Sequence, residues 1–295
     1  MDIGLHLPQF QSDPALVARI ARRAEEAGYA SLWVSDHVLT PERHGTIQVG
    51  TLLEPVTTLA FVAGVTSRIR LATSVIVLPY RSPIVLAKEL ATLGRLCGGR
   101  LVLGVGGGWM VEEFRALNAP YERRGAFCDE AIRLMRTLWA NETSSFHGEF
   151  FNFEGMRCAP TPAAGRIPIW VGGLSRRALR RAVELGDGWH GTRMRPAELA
   201  ECVKGIREIA AARRRTLDGF VISHRVYIGF AERWTETGGY VRGILAPPAE
   251  LAAHINEFAE LGVAEVLVTP IGIERTGFDG FFDRFEREVR PLLLH

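Results

Sequence analysis

Apolar positions along this chain switch repeatedly between alternating or unbroken apolar runs and a spacing near 3.6 residues, the signatures of strand and helix. The pattern predicts strands over residues 2–7, 31–35, 69–78, 100–105, 167–171, 188–191, 220–230 and 263–269. It predicts helices over 14–27, 54–65, 83–96, 110–117, 125–138, 176–185, 196–213, 249–261 and 277–293. Phe127, Ile132, Leu134, Met135 and Leu138 supply the apolar side of the 125–138 helix, as an amphipathic surface helix requires. Gly28 and Gly98-Gly99 follow two of these helices, where a residue without Cβ suits a C-cap.

After Trp139 the rhythm changes. Residues 145–153 read as a small hairpin turning near Gly148, followed by a connector marked by Pro160 and Pro162. This is expected to be an insertion, approximately residues 140–166, before the fifth strand. Residues 231–246 contain glycines, a Trp and a Tyr and show no clear period, which suits a cover over a binding site. Eight strands, each followed by helical sequence, indicate an α/β fold, a (β/α)8 TIM barrel with that small insertion, formed by residues 1–295 as one domain.

Two strand ends carry glycines. Gly104-Val-Gly-Gly-Gly-Trp109 follows an apolar run and leads into a helix, and Ile169-Trp-Val-Gly-Gly-Leu-Ser175 repeats the arrangement. Bare main chain lets a ligand approach closely, and a helix start offers free N–H groups to an anion. Together they suggest one extended, phosphate-bearing ligand lying across several strand-to-helix loops. A doubly wound dinucleotide fold is disfavoured. Its G-x-G-x-x-G motif would need Gly or Ala where Trp109 stands, and the glycines arrive at the fourth strand, not the first. In a barrel, functional residues occupy the carboxyl ends of strands. Asp36, His37, Ser74, residues 106–109, Gly172, Gly173 and His190 are therefore expected to converge on one mouth.

Composition narrows the class. With 295 residues, 47% hydrophobic and 23% charged, the chain reads as an ordinary globular protein, and a net charge of +2 does not favour a nucleic-acid partner. No apolar run is long enough to span a membrane, and the first residues lack a secretory leader, so a cytoplasmic location is expected. Cys97, Cys128, Cys158 and Cys202 form no Cys-x-x-Cys pair, which fits reduced thiols. No His, Cys, Asp and Glu spacing suggests a metal site, and no G-x-S-x-G elbow suggests a serine hydrolase.

In order and spacing the chain resembles the luciferase-like monooxygenase family of flavin- and deazaflavin-dependent oxidoreductases. The markers are Gly4-Leu-His-Leu-Pro8, Ser31-Leu-Trp-Val-Ser-Asp-His37, Glu54-Pro55, Leu71-Ala-Thr-Ser-Val-Ile-Val-Leu-Pro79, and Leu103-Gly-Val-Gly-Gly-Gly-Trp109. Further along come Glu122-Arg-Arg-Gly125, Pro168-Ile-Trp-Val-Gly-Gly173, Arg181-Ala and Gly186-Asp-Gly-Trp189. Ser35-Asp36-His37 and Gly106-Gly107-Gly108-Trp109 make it most similar to the branch that uses the deazaflavin coenzyme F420. The resemblance implies a (β/α)8 barrel with Asp36 and His37 beside the coenzyme ring. It also implies a cis peptide joining Ser74 and Val75 that bulges against the ring face. Family members are often dimers, which leaves a homodimer open as a partner.

The resemblance assigns His37 as the candidate proton-transfer residue. Asp36 accepts ring hydrogen bonds, orients His37 or caps the chain. Gly106 and Gly107 admit the ring, Trp109 walls or plugs the pocket, and Gly172, Gly173 and Ser175 take the phosphate. Arg43, Arg81 and Arg176 are candidate linings for an acidic tail. His190 is a candidate for the substrate side, while His6 and His224 read as core histidines. In the family's sugar-phosphate dehydrogenases a glutamate near the coenzyme stands where this chain has Trp109. Glu112 and Glu113 follow about one helical turn later and are not its direct counterparts.

The expected activity is hydride transfer between F420 and a small organic substrate. The alternative is an FMN-dependent monooxygenase using reduced FMN and oxygen, and a third reading is a non-catalytic flavin-binding protein. The substrate's identity is expected to reside in residues 44–53, 139–162 and 231–246.

Overall fold

Strand β1 (Asp2–His6) pairs in parallel with β2 (Ser31–Val34), and β2 with β3 (Arg70–Thr73). A short continuation, β4 (Ile76–Val77), pairs together with β3 onto β5 (Leu101–Gly106). The hairpin β6 (Thr143–His147) and β7 (Asn152–Arg157) follows in the chain but pairs only with itself. The circuit resumes from β5 to β8 (Ile169–Gly172), β9 (Gly188–Thr192) and β10 (Val221–Phe230). Short β11 (Thr235–Glu236) and β12 (Ile244–Ala246) extend beside β10, and β13 (Glu265–Pro270) closes the ring by pairing with both β10 and β1. Among the described residues, eight parallel strands thus form a closed (β/α)8 barrel. The computed structural model describes residues 1–10, 13–39, 41, 52–238, 242–273 and 277–294.

Helices α1 (Pro14–Glu26), α2 (Pro55–Ala63), α3 (Pro83–Leu96), α4 (Val111–Ala116) and α5 (Arg124–Ala140) connect the first half. In the second half come α6 (Arg176–Leu185), α7 (Pro196–Ala212), α8 (Pro248–Glu260) and α9 (Gly277–Glu288). Their starts follow local chemistry. Asp13 accepts a hydrogen bond from the Ala15 N–H with Pro14 at the first helical position, and the Glu54 carboxylate takes the Thr57 N–H ahead of Pro55. Gly28, just past α1, has φ +76°, the left-handed conformation that lets the chain turn into β2.

The barrel interior is layered. Trp33, Ala72, Val102, Trp170 and Leu267, each from a different strand, form an apolar cluster apart from the main core. Above it lies a polar layer in which His6, Ser35, Ser74, His190, Ser223, Arg225 and Thr269 are joined by hydrogen bonds. This polar layer sits at the carboxyl ends of the strands and forms the floor of the mouth.

One predicted strand differs in kind. The β-branched run 69–78 is not continuous: the Ser74–Val75 peptide is cis, splitting it into β3 and β4, and Leu78–Tyr80 then forms a 3-10 turn. The predicted insertion appears as the β6–β7 hairpin. Buried Glu130 of α5 accepts the N–H groups of Glu149, Phe150 and Phe151 at its turn, and Phe127 meets both Phe150 and Phe151 edge-on. Predicted helix 277–293 ends earlier, at Glu288, before a 3-10 turn over Arg290–Leu292. Among the described residues, no helix is long and apolar enough to cross a membrane.

Candidate active site

Val75, just beyond the end of β3, forms a ridge over β5 and β8. Ideal Cβ atoms built on Gly104, Gly106 and Gly172 would come within 3.3, 2.7 and 3.2 Å of Val75 side-chain carbons. A Cβ on Gly104 would also fall 1.8 Å from the Thr73 carbonyl oxygen. These glycines on β5 and β8 form the seat of the ridge, so their first duty is to the protein's own chain. Gly107 is different: an added Cβ would meet only Cys128 Sγ at 3.8 Å and Arg124 Cγ at 3.9 Å, an ordinary contact. Gly173 has φ +114°, a conformation side chains rarely tolerate, and it is exposed beside Leu174 and Ser175. Ser175 caps α6 by accepting the Ala178 N–H.

Asp36 lies beneath the rim. Its carboxylate accepts the Val77 N–H at 2.8 Å and two hydrogen bonds from Arg81 at 2.8 and 2.9 Å. It therefore ties the end of β2 to the chain just beyond the ridge. Burial pushes the Asp36 carboxyl up from the ordinary aspartate range, and the Arg81 guanidinium pulls against it. Arg81, a candidate tail lining, is engaged in this pair. Arg43 lies outside the described residues, and Arg176 is exposed at the start of α6. Nearby Arg177 and Arg181 pair with Asp129, and Arg180 with Glu184.

His37 stands at the rim itself. Its Nδ1 is 2.8 Å from Glu113 Oε2, and its ring meets Trp109 edge-on at 5.9 Å. Glu113, fully buried as a side chain, also takes the N–H groups of Val38 and Leu39 and the Tyr80 hydroxyl. Burial alone would raise its carboxyl, but hydrogen bonds from His37, Val38 and Leu39 outweigh burial and hold it below the ordinary glutamate range. Trp109 is 41% exposed, so it forms a wall of the mouth and does not plug the barrel. Glu113 is the functional candidate that sequence reasoning passed over. Its signal was an acid in an apolar stripe, because Met110, Glu113 and Phe114 share the i, i+3, i+4 face and all are buried.

His190 belongs to the polar floor. Its Nε2 is 2.8 Å from Ser74 Oγ, its Nδ1 is 2.8 Å from Ser223 Oγ, and its ring stacks on Trp33. Burial, with the charge of Arg225 and then His224 nearby, lowers its pKa to about 3. His190 is thus a neutral link below Ser74. His6 bonds Ser35 from the same floor and is likewise lowered by burial and then Arg225. His224 faces outward against Phe258 of α8. Arg225 reaches Ser35 Oγ at 2.8 Å and Ser74 O at 3.3 Å. It also lines a neighbouring cleft with Arg193, Tyr227, Trp234 and Arg242. Two of these come from the predicted cover, of which residues 239–241 lie outside the described residues, as do 44–51 of the other predicted specificity loop.

The structure thus places Asp36, His37, Ser74, Val75, Gly106, Gly107, Trp109, Gly172 and Gly173 at or just beyond the carboxyl ends of the neighbouring strands β2, β3, β5 and β8. Ser175 lies two residues beyond Gly173, at the start of α6. Among the described residues, no group of three or more His, Cys, Asp and Glu side chains could hold a metal ion.

Comparison with known proteins gives the family and the fold. The family model described as luciferase-like monooxygenase matches residues 1–237. An uncharacterised protein of Mycobacterium tuberculosis is 35% identical over 229 residues, covering 73% of this chain and 80% of that one. An F420-dependent glucose-6-phosphate dehydrogenase of Kineococcus radiotolerans is 35% identical over 192 residues, 64% of this chain and 56% of the relative. The solved structure of an F420-dependent secondary alcohol dehydrogenase, in complex with an F420–acetone adduct, shares the fold with a TM-score of 0.84. It has 18% identity and covers 100% of this chain and 99% of that one.

Proposed function

This chain belongs to the luciferase-like monooxygenase family, and from that premise we propose that it is an F420-dependent oxidoreductase moving a hydride between the coenzyme and a small organic substrate. The relatives and the structural neighbour that carry F420 in their names support the coenzyme. The observation that carries the reading is that His37 packs against Trp109 at the same strand ends where Val75 forms its ridge over the glycines of β5 and β8. A flat heterocycle needs a narrow shelf, a face free of bulky side chains and a proton-handling group at its edge.

The residues present fit such a group. Val75 offers the shelf, and Gly107 leaves open main chain beside it. Gly173 and Ser175 stand at the start of α6, where backbone N–H groups and the helix dipole favour a phosphate. When bound, the deazaflavin supplies the carbon that gives or accepts the hydride. Trp109 packs the substrate toward the shelf and excludes water, since hydride transfer needs close, aligned approach. His37 gives or takes the proton that accompanies the hydride. Asp36 holds the ridge in place through Val77 and Arg81, and the Arg225 cleft extends toward the loops that select the substrate.

Titration of the purified protein with F420 and with FMN separately, followed by absorbance or fluorescence of the ring, tests the coenzyme. Saturable binding of F420 is expected. Saturable binding of FMN alone would overturn the choice and point to oxygen-dependent chemistry on the same barrel.

A further inference from the structure

Glu113 collects donors from three segments. Val38 and Leu39 give their backbone N–H groups to Oε1, and the Tyr80 hydroxyl lies 2.8 Å from Oε2, the same oxygen that faces His37 Nδ1. An ionised carboxylate only accepts hydrogen bonds, at about four lone-pair positions. These four neighbours must therefore all be donors, which puts the imidazole hydrogen on Nδ1. We propose that Glu113 and Tyr80 act as a positioning pair that locks His37 in its Nδ1–H form and leaves Nε2 as the nitrogen that exchanges the proton. This rests on the reading of His37 as the proton-transfer group.

The geometry gives the pair two effects. The bond to Glu113 stops the ring from turning over, while the Trp109 edge packs against the ring. Tyr80 in turn steadies the carboxylate by donating to the same oxygen, and its own ring is fixed edge-on against Phe114 at 4.9 Å. Among the described residues, Asp36, next to His37 in the chain, is joined to Arg81, and Glu54 lies 3.9 Å from that guanidinium.

The pair predicts opposite responses to two substitutions. Glu113→Gln replaces the charge by an amide that can donate as well as accept, so the tautomer lock is lost. Tyr80→Phe removes a competing donor, so the carboxylate binds the His37 N–H more strongly. Nitrogen NMR of the full-length protein, labelled at histidine and without any ligand, reads the tautomer. Wild type should show a protonated Nδ1 and a bare Nε2. Glu113→Gln should lose that single form and show protonated Nε2, whereas Tyr80→Phe should keep Nδ1 protonated. A protonated Nε2 in the wild type, or an unchanged Nδ1–H form in Glu113→Gln, would overturn the proposal. Should Glu113→Gln not fold, the wild-type tautomer and Tyr80→Phe decide alone. Failure of F420 to bind would remove the proton-transfer reading and leave this result to stand or fall on the spectra.

Discussion

At the scale of single residues, burial keeps the barrel histidines neutral. His190 and His224 are lowered to about 3, both chiefly by burial, and His6 is also lowered well below the ordinary value. His37, at the end of β2, pairs with a carboxylate, with Trp109 beside it. The sequence reading of His6 and His224 as core histidines holds, since both are buried. Sequence reasoning could not place His190 in the floor, because the partners Ser74 and Ser223 are distant in sequence. The buried histidines have a consequence for stability. Their folded-state values lie below the unfolded value near 6.5, so the unfolded chain binds more protons on acidification. Their contribution is complete above pH 6.5 and is lost as pH falls from there toward 3. His224→Phe removes one such group while keeping an apolar ring against Phe258. Urea unfolding at pH 6.5 and pH 5 should show wild type losing about 2 kcal/mol more than His224→Phe over that interval. Parallel losses would contradict the assignment.

At the scale of elements, the glycines of β5 and β8 teach the clearest lesson. A glycine run at a strand end was legible as bare main chain near a ligand, yet most of that bareness is occupied by Val75. The sequence pattern of 69–78 gave no warning, since β-branched residues continue across the break at Ser74–Val75. The two roles separate by substitution. Gly106→Ala forces a Cβ to 2.7 Å from Val75 Cγ2, and overpacking of this kind costs about 1–3 kcal/mol. Gly107→Ala meets nothing closer than 3.8 Å and should change unfolding free energy by about 0.5 kcal/mol or less. Thermal or urea unfolding of the two variants checks this, and equal stability would show that Gly106 is not part of the ridge's seat. Helix α4 is a second case. Its period was visible, but the inward direction of Glu113 depended on β2 ending opposite it, which only the assembled barrel shows.

At the scale of the whole molecule, alternating strand and helix signals made the closed barrel and the hairpin insertion readable from sequence. The strands are short and apolar enough that only a barrel with filled layers buries them. The apolar layer around Trp33 and Trp170 underlies a polar floor, and the floor reaches Ser74, next to the Val75 ridge. Tertiary pairing of Asp36 with Arg81 and of Glu113 with His37 was not readable, because each bridges residues far apart along the chain. The central claim is that a deazaflavin ring rests on the Val75 ridge within reach of His37. A crystal structure of the protein soaked or co-crystallised with F420 tests it most directly. Ring density is expected against Val75, beside Gly107, with His37 Nε2 facing the ring edge. Coenzyme density seated away from this rim, with His37 and Val75 untouched, would contradict it.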